Sequence, residues 1–271
     1  TEIFSTAKVQ TSLFRYEGLL KSIAKLQFKP IVEFQYLEGN GENIGKNARK
    51  NTSVSSLITY NFLKNILFEG SLRKEFNSVF ESPIVYSIGT KADVSEWYNV
   101  KLNYSKNYRV PTFNDLYWYA GGNVNLKAET VQQYEITNEF QYKAFQFQVA
   151  GYYNDFQNLL KWSPNESGNW TPENVENVKS YGAEFSLNFK QNFKAFQIES
   201  TTNYSYTKSV DEKTQKQLIY VPYHKFTSNW NFNYNRVSFN YQMVFNGAVF
   251  TSSDNSFFLK EHTVSNVSLY Y

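Results

Sequence analysis

The chain has 271 residues, 27 basic and 24 acidic for a formal net charge of +3, no cysteine and two histidines. This excludes disulfide frameworks, thiolate metal sites and cysteine nucleophiles, leaves no clustered basic stripe for nucleic acid, and puts His224 and His262 in separate segments, unsuited to a multi-histidine metal site. Apolar residues counted with Gly and without Tyr come to about 37%, under the ~45–50% of a conventional core, yet Phe, Tyr and Trp make up 19%, too aromatic for a disordered chain.

No run approaches the ~18 apolar residues of a membrane-spanning helix, which excludes helical spans and only those. The start, Thr1-Glu-Ile-Phe4, shows neither an initiator Met nor a signal peptide, so processing or truncation is expected to have removed what preceded it.

Through nearly the whole chain, bulky or apolar side chains alternate with Asn, Gln, Ser, Thr, Glu or Lys, the period of a strand with one greasy and one wet face. In chain order this predicts strands over 3–17, 25–37, 51–62, 64–76, 83–91, 97–108, 130–142, 144–160, 175–190, 194–208, 218–234, 236–250 and 262–271. Many exceed the ~5–6 residues usual in soluble sheets and reach the ~9–11 that a tilted membrane-crossing strand needs. Joins at 62–64, 142–144 and 234–236 are tight, whereas 38–50, 109–129, 161–174, 208–217 and 251–261 are long and polar. Outer-membrane barrels alternate short periplasmic turns with longer external loops. Strands starting at 64, 97, 144, 194 and 236 therefore run outward, and those starting at 51, 130, 175, 218 and 262 inward. The 77–82 join is short where a long loop is expected.

A soluble sandwich fills its apolar face mainly with branched aliphatics; here Phe and Tyr dominate it, as suits a lipid-facing surface with aromatic interfaces. The fold class expected is all-β, an antiparallel transmembrane β-barrel with about thirteen strands present. Bacterial single-chain barrels carry an even strand number, so residues 1–271 read as part of a larger barrel.

Five stretches carry a family resemblance. Asn103-Tyr-Ser-Lys-Asn-Tyr-Arg-Val-Pro-Thr-Phe-Asn-Asp-Leu-Tyr117, Gly121-Gly-Asn-Val-Asn-Leu-Lys-Ala-Glu-Thr130 with Tyr134-Glu-Ile, Ala150-Gly-Tyr-Tyr-Asn-Asp-Phe-Gln-Asn-Leu-Leu160, Asn174-Val-Glu-Asn-Val-Lys-Ser-Tyr-Gly-Ala-Glu184 and Val221-Pro-Tyr-His-Lys225 resemble, in order, the barrel signature of TonB-dependent outer-membrane receptors. Residues about 97 to 271 carry the resemblance, with Val124 and Ala128 standing where the family usually has Pro. It implies a plugged barrel, for which 22 strands are usual, with the plug and the segment that pairs with TonB outside this sequence. It also implies an outer-membrane location in a Gram-negative bacterium. The function implied is energy-coupled uptake of a scarce bulky nutrient, a ferric siderophore or a cobalamin-like corrinoid; heme fits less well and a glycan stays open. The implied partners are the TonB complex, the small-molecule nutrient and the lipid bilayer, without nucleic acid, cofactor, metal or catalysis. The rivals are a passive porin or structural barrel without a plug, and a soluble sandwich.

Ligand contacts are expected from loop aromatics: Tyr117, Trp118 and Tyr119 in the 109–129 loop, Trp162 and Trp170 in the 161–174 loop, set against membership of the interfacial girdle. Trp97 and Trp230 lie nearer the periplasmic side and read as girdle. The family-motif residues Arg109, Pro111, Asn125, Leu126, Glu129, Gly182, Glu184, Pro222 and His224 are expected to be structural. Glu33, Arg73, Glu135, Glu139, Glu184 and Glu199 fall on the wet face, where a plug or water would meet them. The Gly-rich 39–47 run fails the P-loop spacing.

Overall fold

The computed structural model describes residues 6–23, 25–119 and 121–271, the side chains of 21–23 and 176 apart. Thirteen strands follow one another in a single path, each hydrogen-bonded to the next in sequence: β1 (Ala7–Glu17), β2 (Leu26–Gly41), β3 (Gly45–Leu63), β4 (Ile66–Asn77), β5 (Ile84–Ser95), β6 (Tyr98–Arg109), β7 (Glu129–Tyr142), β8 (Phe145–Pro164), β9 (Trp170–Phe193), β10 (Phe196–Asp211), β11 (His224–Tyr234), β12 (Val237–Asn246) and β13 (His262–Tyr270). Short pieces at Leu20–Ile23 and Lys216–Gln217 add to β2 and β10, and Val249–Phe250 pairs with Phe258–Leu259 in a separate ribbon. The path ends on β1 and β13. Residues 3–5 of the first expected strand lie outside the described residues.

The chain divides into two compact units, Thr1–Thr90 with Asn103–Gln133 and Asp155–Val178, and Lys91–Leu102 with Tyr134–Asn154 and Lys179–Tyr271. In the first, the printed register of β1 to β4 sorts side chains into two rows. Phe14, Phe34, Thr52 and Phe76 stand opposite one another, and one position along stand Arg15, Glu33, Ser53 and Glu75. The aromatic row is open to the surroundings, with Phe14 68%, Phe34 45% and Phe76 59% exposed. On the other row Glu33 receives Arg73 at 2.9 Å, Arg15 at 3.4 Å and the Ser53 hydroxyl at 3.3 Å. In the second unit the rows Phe232–Phe239–Leu269 and Asn231–Asn240–Ser268 repeat the pattern across β11 to β13.

Inner-end turns match expectation: two residues separate β3 from β4, β5 from β6, β7 from β8, β9 from β10 and β11 from β12. Lys143, Lys194 and Asn235 take positive φ there, the geometry that matches strand twist in two-residue hairpins.

The outer ends differ from the sequence reading. Ladders continue through much of the expected loops, so only 42–44 separates β2 from β3 and only 165–169 separates β8 from β9. β9 reaches 24 residues and β8 reaches 20, well beyond the ~9–11 that cross a bilayer. Outside lipid both faces of a hairpin are wet, so the alternation fades while the backbone ladder persists. β11 starts at His224 rather than 218, because Tyr220 takes φ 58 and Pro222 has no N–H to give the ladder. β12 ends at Asn246, four residues short of the expected 250, with one further bond from the Gly247 N–H to the His224 carbonyl at 2.8 Å closing the pairing with β11.

Gly182 shows why one motif glycine is needed. A Cβ there would sit 1.9 Å from the Tyr206 carbonyl oxygen and 2.8 Å from the Tyr152 hydroxyl. The Tyr152 side chain lies over this gap and reaches the Thr207 hydroxyl at 2.7 Å, the aromatic-over-glycine arrangement that pins register.

Two outcomes are expected in bilayer-reconstituted protein. Phe185, 44% exposed and edge-on to Phe147 at 4.5 Å, faces the apolar side, so Phe185→Arg lowers stability by about 2–4 kcal/mol while Glu184→Gln on the adjacent wet face costs under about 1 kcal/mol. Urea unfolding of both variants measures the difference, and equal losses would contradict the assignment of faces.

Candidate functional site

The outer end of the first unit carries a built structure. Thr112 caps a one-turn helix, Phe113–Tyr117, accepting from the Asp115 N–H, while the Asp115 carboxylate accepts from the Thr112 N–H at 2.7 Å and hydroxyl at 2.8 Å. The helix belongs to the 109–129 segment read from sequence as loop; its signal was present in Thr112-x-x-Asp115, a capping-box pattern. Asp115 is buried, and its other oxygen accepts from the Trp162 indole N–H at 2.8 Å.

A second anchor is the Arg109–Glu129 pair. Two guanidinium nitrogens contact the two carboxylate oxygens at 2.8 and 3.1 Å, a bidentate geometry among the stronger of protein ion pairs. Both partners also grip β8: Arg109 donates to the Leu160 carbonyl at 3.1 Å, and Glu129 accepts from the Leu160 N–H at 2.7 Å. Leu160 thereby joins Leu116 and Leu126 in a small apolar core that Phe80 and Tyr117 flank.

Arg49, buried on β3, forms the third anchor. Its guanidinium lies between the Phe80 and Phe113 rings at 5.2 and 5.3 Å and donates to the Pro111 carbonyl at 2.8 Å. Asn174 ties the 161–174 segment in by accepting from the Lys127 N–H at 2.8 Å and donating to the Lys127 and Asn158 carbonyls at 3.0 and 2.8 Å. Gly121 and Gly122 allow the close packing: a Cβ would meet the Trp170 carbonyl oxygen at 2.8 Å and the Trp118 nitrogen at 2.5 Å respectively.

The five aromatics expected to meet ligand therefore occupy different settings. Trp162 is held by Asp115, Tyr117 packs on the apolar core, and Trp118 closes the helix, its carbonyl accepting from Gly121 and Gly122. Tyr119 is 89% exposed, with its backbone N–H on the Asn43 carbonyl at 2.8 Å, and Trp170 is 44% exposed. Tyr119 and Trp170 are thus the two of the five that are exposed, at the edge of a buttressed base. Arg49, Phe80, Phe113 and Asp115 were not singled out from sequence as candidate residues.

The other motif residues are placed as follows. Pro111 is fully buried, Leu126 is in the core, and exposed Asn125 donates its N–H to the Asn123 side chain at 3.0 Å. Pro222 precedes β11, at whose start His224 shares a hydrogen bond of 2.8 Å with the Tyr204 hydroxyl and packs on Tyr206 at 5.4 Å. Glu184 lines a groove of about 320 Å³ on the wet face of the second unit, with Lys225 and Asn203. Of the remaining wet-face charges, Glu139 pairs with Lys101 at 2.6 Å and Glu199 with Lys190 at 2.5 Å, while Glu135 accepts from Thr137.

The 247–261 connection adds a further outer arm. Its Asp254 carboxylate accepts from the Ser252 and Ser256 hydroxyls at 2.6 and 2.7 Å. These bonds, with the Ser256 N–H, hold its pKa down to about 2.

Comparison with known proteins adds the family. The model described as TonB dependent receptor-like, beta-barrel, matches residues 21–271. The chain belongs to this family. A vitamin B12 transporter, BtuB, of Photobacterium profundum is 26% identical over 241 residues, covering 87% of this chain and 39% of that protein. The ferric enterobactin receptor PfeA of Pseudomonas aeruginosa, solved as a G324V mutant, superposes with a TM-score of 0.78 at 14% identity, covering 98% of this chain and 46% of that one. The siderophore receptor PirA of Acinetobacter baumannii gives 0.77 at 15% identity, covering 97% and 48%. The chain thus spans less than half the length of these proteins, and its fold is that of a TonB-dependent receptor barrel in part. Members of the family are outer-membrane β-barrels of Gram-negative bacteria, receptors and transporters rather than enzymes.

Removing one anchor should loosen the platform without unfolding the sheet. Trp162→Phe deletes the indole N–H and leaves one oxygen of a buried carboxylate without that donor, a cost of about 1–3 kcal/mol. Faster hydrogen exchange and protease cleavage within 110–128, with β1 to β4 unchanged, are the expected readouts; unchanged exchange there would contradict the anchoring. Asp254 supplies a pH test. Its depressed folded-state pKa stabilises the arm above the ordinary carboxylate range, and the contribution disappears as pH falls through about 2. A carboxyl titration midpoint near 4, followed by NMR, would contradict the hydroxyl cradle.

Proposed function

We propose that residues 1–271 form part of the barrel of an outer-membrane receptor in a Gram-negative bacterium that takes up a scarce bulky nutrient by TonB-coupled gated transport. The nutrient favoured is a cobalamin-like corrinoid. The observation that carries the reading is the pairing of a family match over residues 21–271 with exposed aromatic residues, Tyr119 foremost and Trp170 with it, on a triply anchored outer platform. Broad planar ligands are bound through such rings, each worth about 0.5–1.5 kcal/mol beyond its area. The corrinoid is preferred over a ferric siderophore because the vitamin B12 transporter resembles the chain in sequence, whereas the siderophore receptors do so at fold level.

Further strands and a plug complete the working receptor in this reading. β1 and β13 carry Phe14, Tyr16, Val267 and Leu269 at 62% exposure or more along edges whose unpaired backbone groups would each cost several kcal/mol in lipid. The plug contacts the wet faces and carries the segment that meets TonB.

Equilibrium titration of the intact receptor with cyanocobalamin and with ferric enterobactin tests this. Tight cyanocobalamin binding is expected, with Tyr119→Ala and Trp170→Ala each weakening it about 2–10-fold. Tight ferric enterobactin binding without cyanocobalamin binding would reverse the choice of nutrient. Unchanged affinity in both variants would remove these rings from the site.

A further inference from the structure

Within the second unit, the apolar face carries two aromatic tiers. Near the turns lie Phe145 with Phe189 at 4.8 Å and Tyr98 with Phe140 at 4.7 Å. Towards the outer ends Tyr134, Tyr153 and Tyr181 form a ladder at 6.2 and 6.4 Å, and Tyr204 and Tyr206 flank His224. Eight residues separate the tiers on β8 and on β9, which at ~3.4 Å per residue and a tilt of ~40° is a height of roughly 21 Å. That is close to the ~25 Å apolar band of an outer-membrane barrel. The upper, tyrosine-rich tier thus marks headgroup depth.

Lys208 stands at that depth. Two residues beyond Tyr206 on β10, it shares Tyr206's face, and its ammonium lies over the Tyr181 ring at 5.9 Å. Lys179, also on the apolar side, is ion-paired with Glu212. Lys208 has no ion-pair partner among the described residues, and its nearest company is phenolic. An uncompensated cation among hydroxyl donors at the lipid interface calls for an anion that reaches it from the bilayer.

We propose that Lys208, with the Tyr181 hydroxyl beside it, binds a phosphate carried on the headgroup of an outer-leaflet lipid. The charges are complementary, the depth is that of the headgroup, and the aromatic faces below accept the lipid's apolar part. On the wet face, by contrast, Lys190 and Lys101 are ion-paired with Glu199 and Glu139, and that face is turned away from the lipid. This inference rests on the membrane reading above but not on the nutrient.

The test uses the intact receptor in phosphatidylcholine nanodiscs, exposed to diphosphoryl lipid A or to its dephosphorylated counterpart, with bound lipid counted by native mass spectrometry. Wild type should prefer the phosphorylated form about fivefold, the weight of one lysine at an anionic surface. Lys208→Gln should abolish that preference, Lys208→Arg should keep it, and Lys190→Gln on the other face should leave it unchanged. Heat-modifiable gel migration confirms a folded barrel in each variant. No preference in wild type, or a preference kept in Lys208→Gln, would overturn the proposal. Recovery of the intact protein as a detergent-free monomer would instead overturn the membrane reading itself.

Discussion

A backbone N–H or C=O inside hydrocarbon has no water to turn to, so every one must find its partner within the protein. A sheet of consecutive neighbours meets that requirement, and the pleat then gives each strand two faces with opposite duties. The register of β1 to β4 shows it: Phe14, Phe34 and Phe76 on one side, and one position along the Arg15–Glu33–Arg73 chain of charges. The low aliphatic content follows, because most of the apolar surface contacts lipid instead of filling a core. Among the described residues, the buried apolar cluster is Leu116, Leu126 and Leu160.

That core sits where the lipid no longer dictates the chemistry. Beyond the outer interface, the segment between β6 and β7 must be ordered by its own contacts, and three charged anchors supply them. Arg109–Glu129 fixes the segment's two ends to Leu160, Arg49 fixes Pro111, and Asp115 links the helix to Trp162. Bidentate and buried charge-assisted bonds are directional, which makes a stiff platform out of what would otherwise be the polar loop 110–128. Tyr119 and Trp170 gain their usefulness from that stiffness, since a ring held on a fixed base loses little entropy when it meets a ligand.

Legibility in the sequence follows the same division. Where one face meets lipid, the period of two is strong, and the thirteen-strand path could be read from residues such as Phe196, Ile198, Tyr204 and Tyr206 alone. Where both faces are wet, as at 38–41 and 45–50 or at 161–164 and 170–174, strands look like loops. The start of β11 is set by Tyr220, at positive φ, and by Pro222, which lacks an N–H, single residues inside an otherwise alternating stretch. Among the site residues, Arg109, Glu129 and Gly182 could be singled out by resemblance, as motif positions. Arg49 could not, because its partners Phe80, Pro111 and Phe113 lie more than thirty residues away in the chain.

The central claim is that each strand divides lipid from water residue by residue. Residues 1–271 hold no cysteine, so single cysteines placed at 183 to 190 of the intact receptor, with any cysteine elsewhere in it replaced, can be spin-labelled in bilayers and probed with oxygen and with a water-soluble nickel chelate. Oxygen accessibility should peak at Ala183, Phe185, Leu187 and Phe189, and nickel accessibility at Glu184, Ser186, Asn188 and Lys190. A flat profile along β9, or one with the two phases exchanged, would contradict the account.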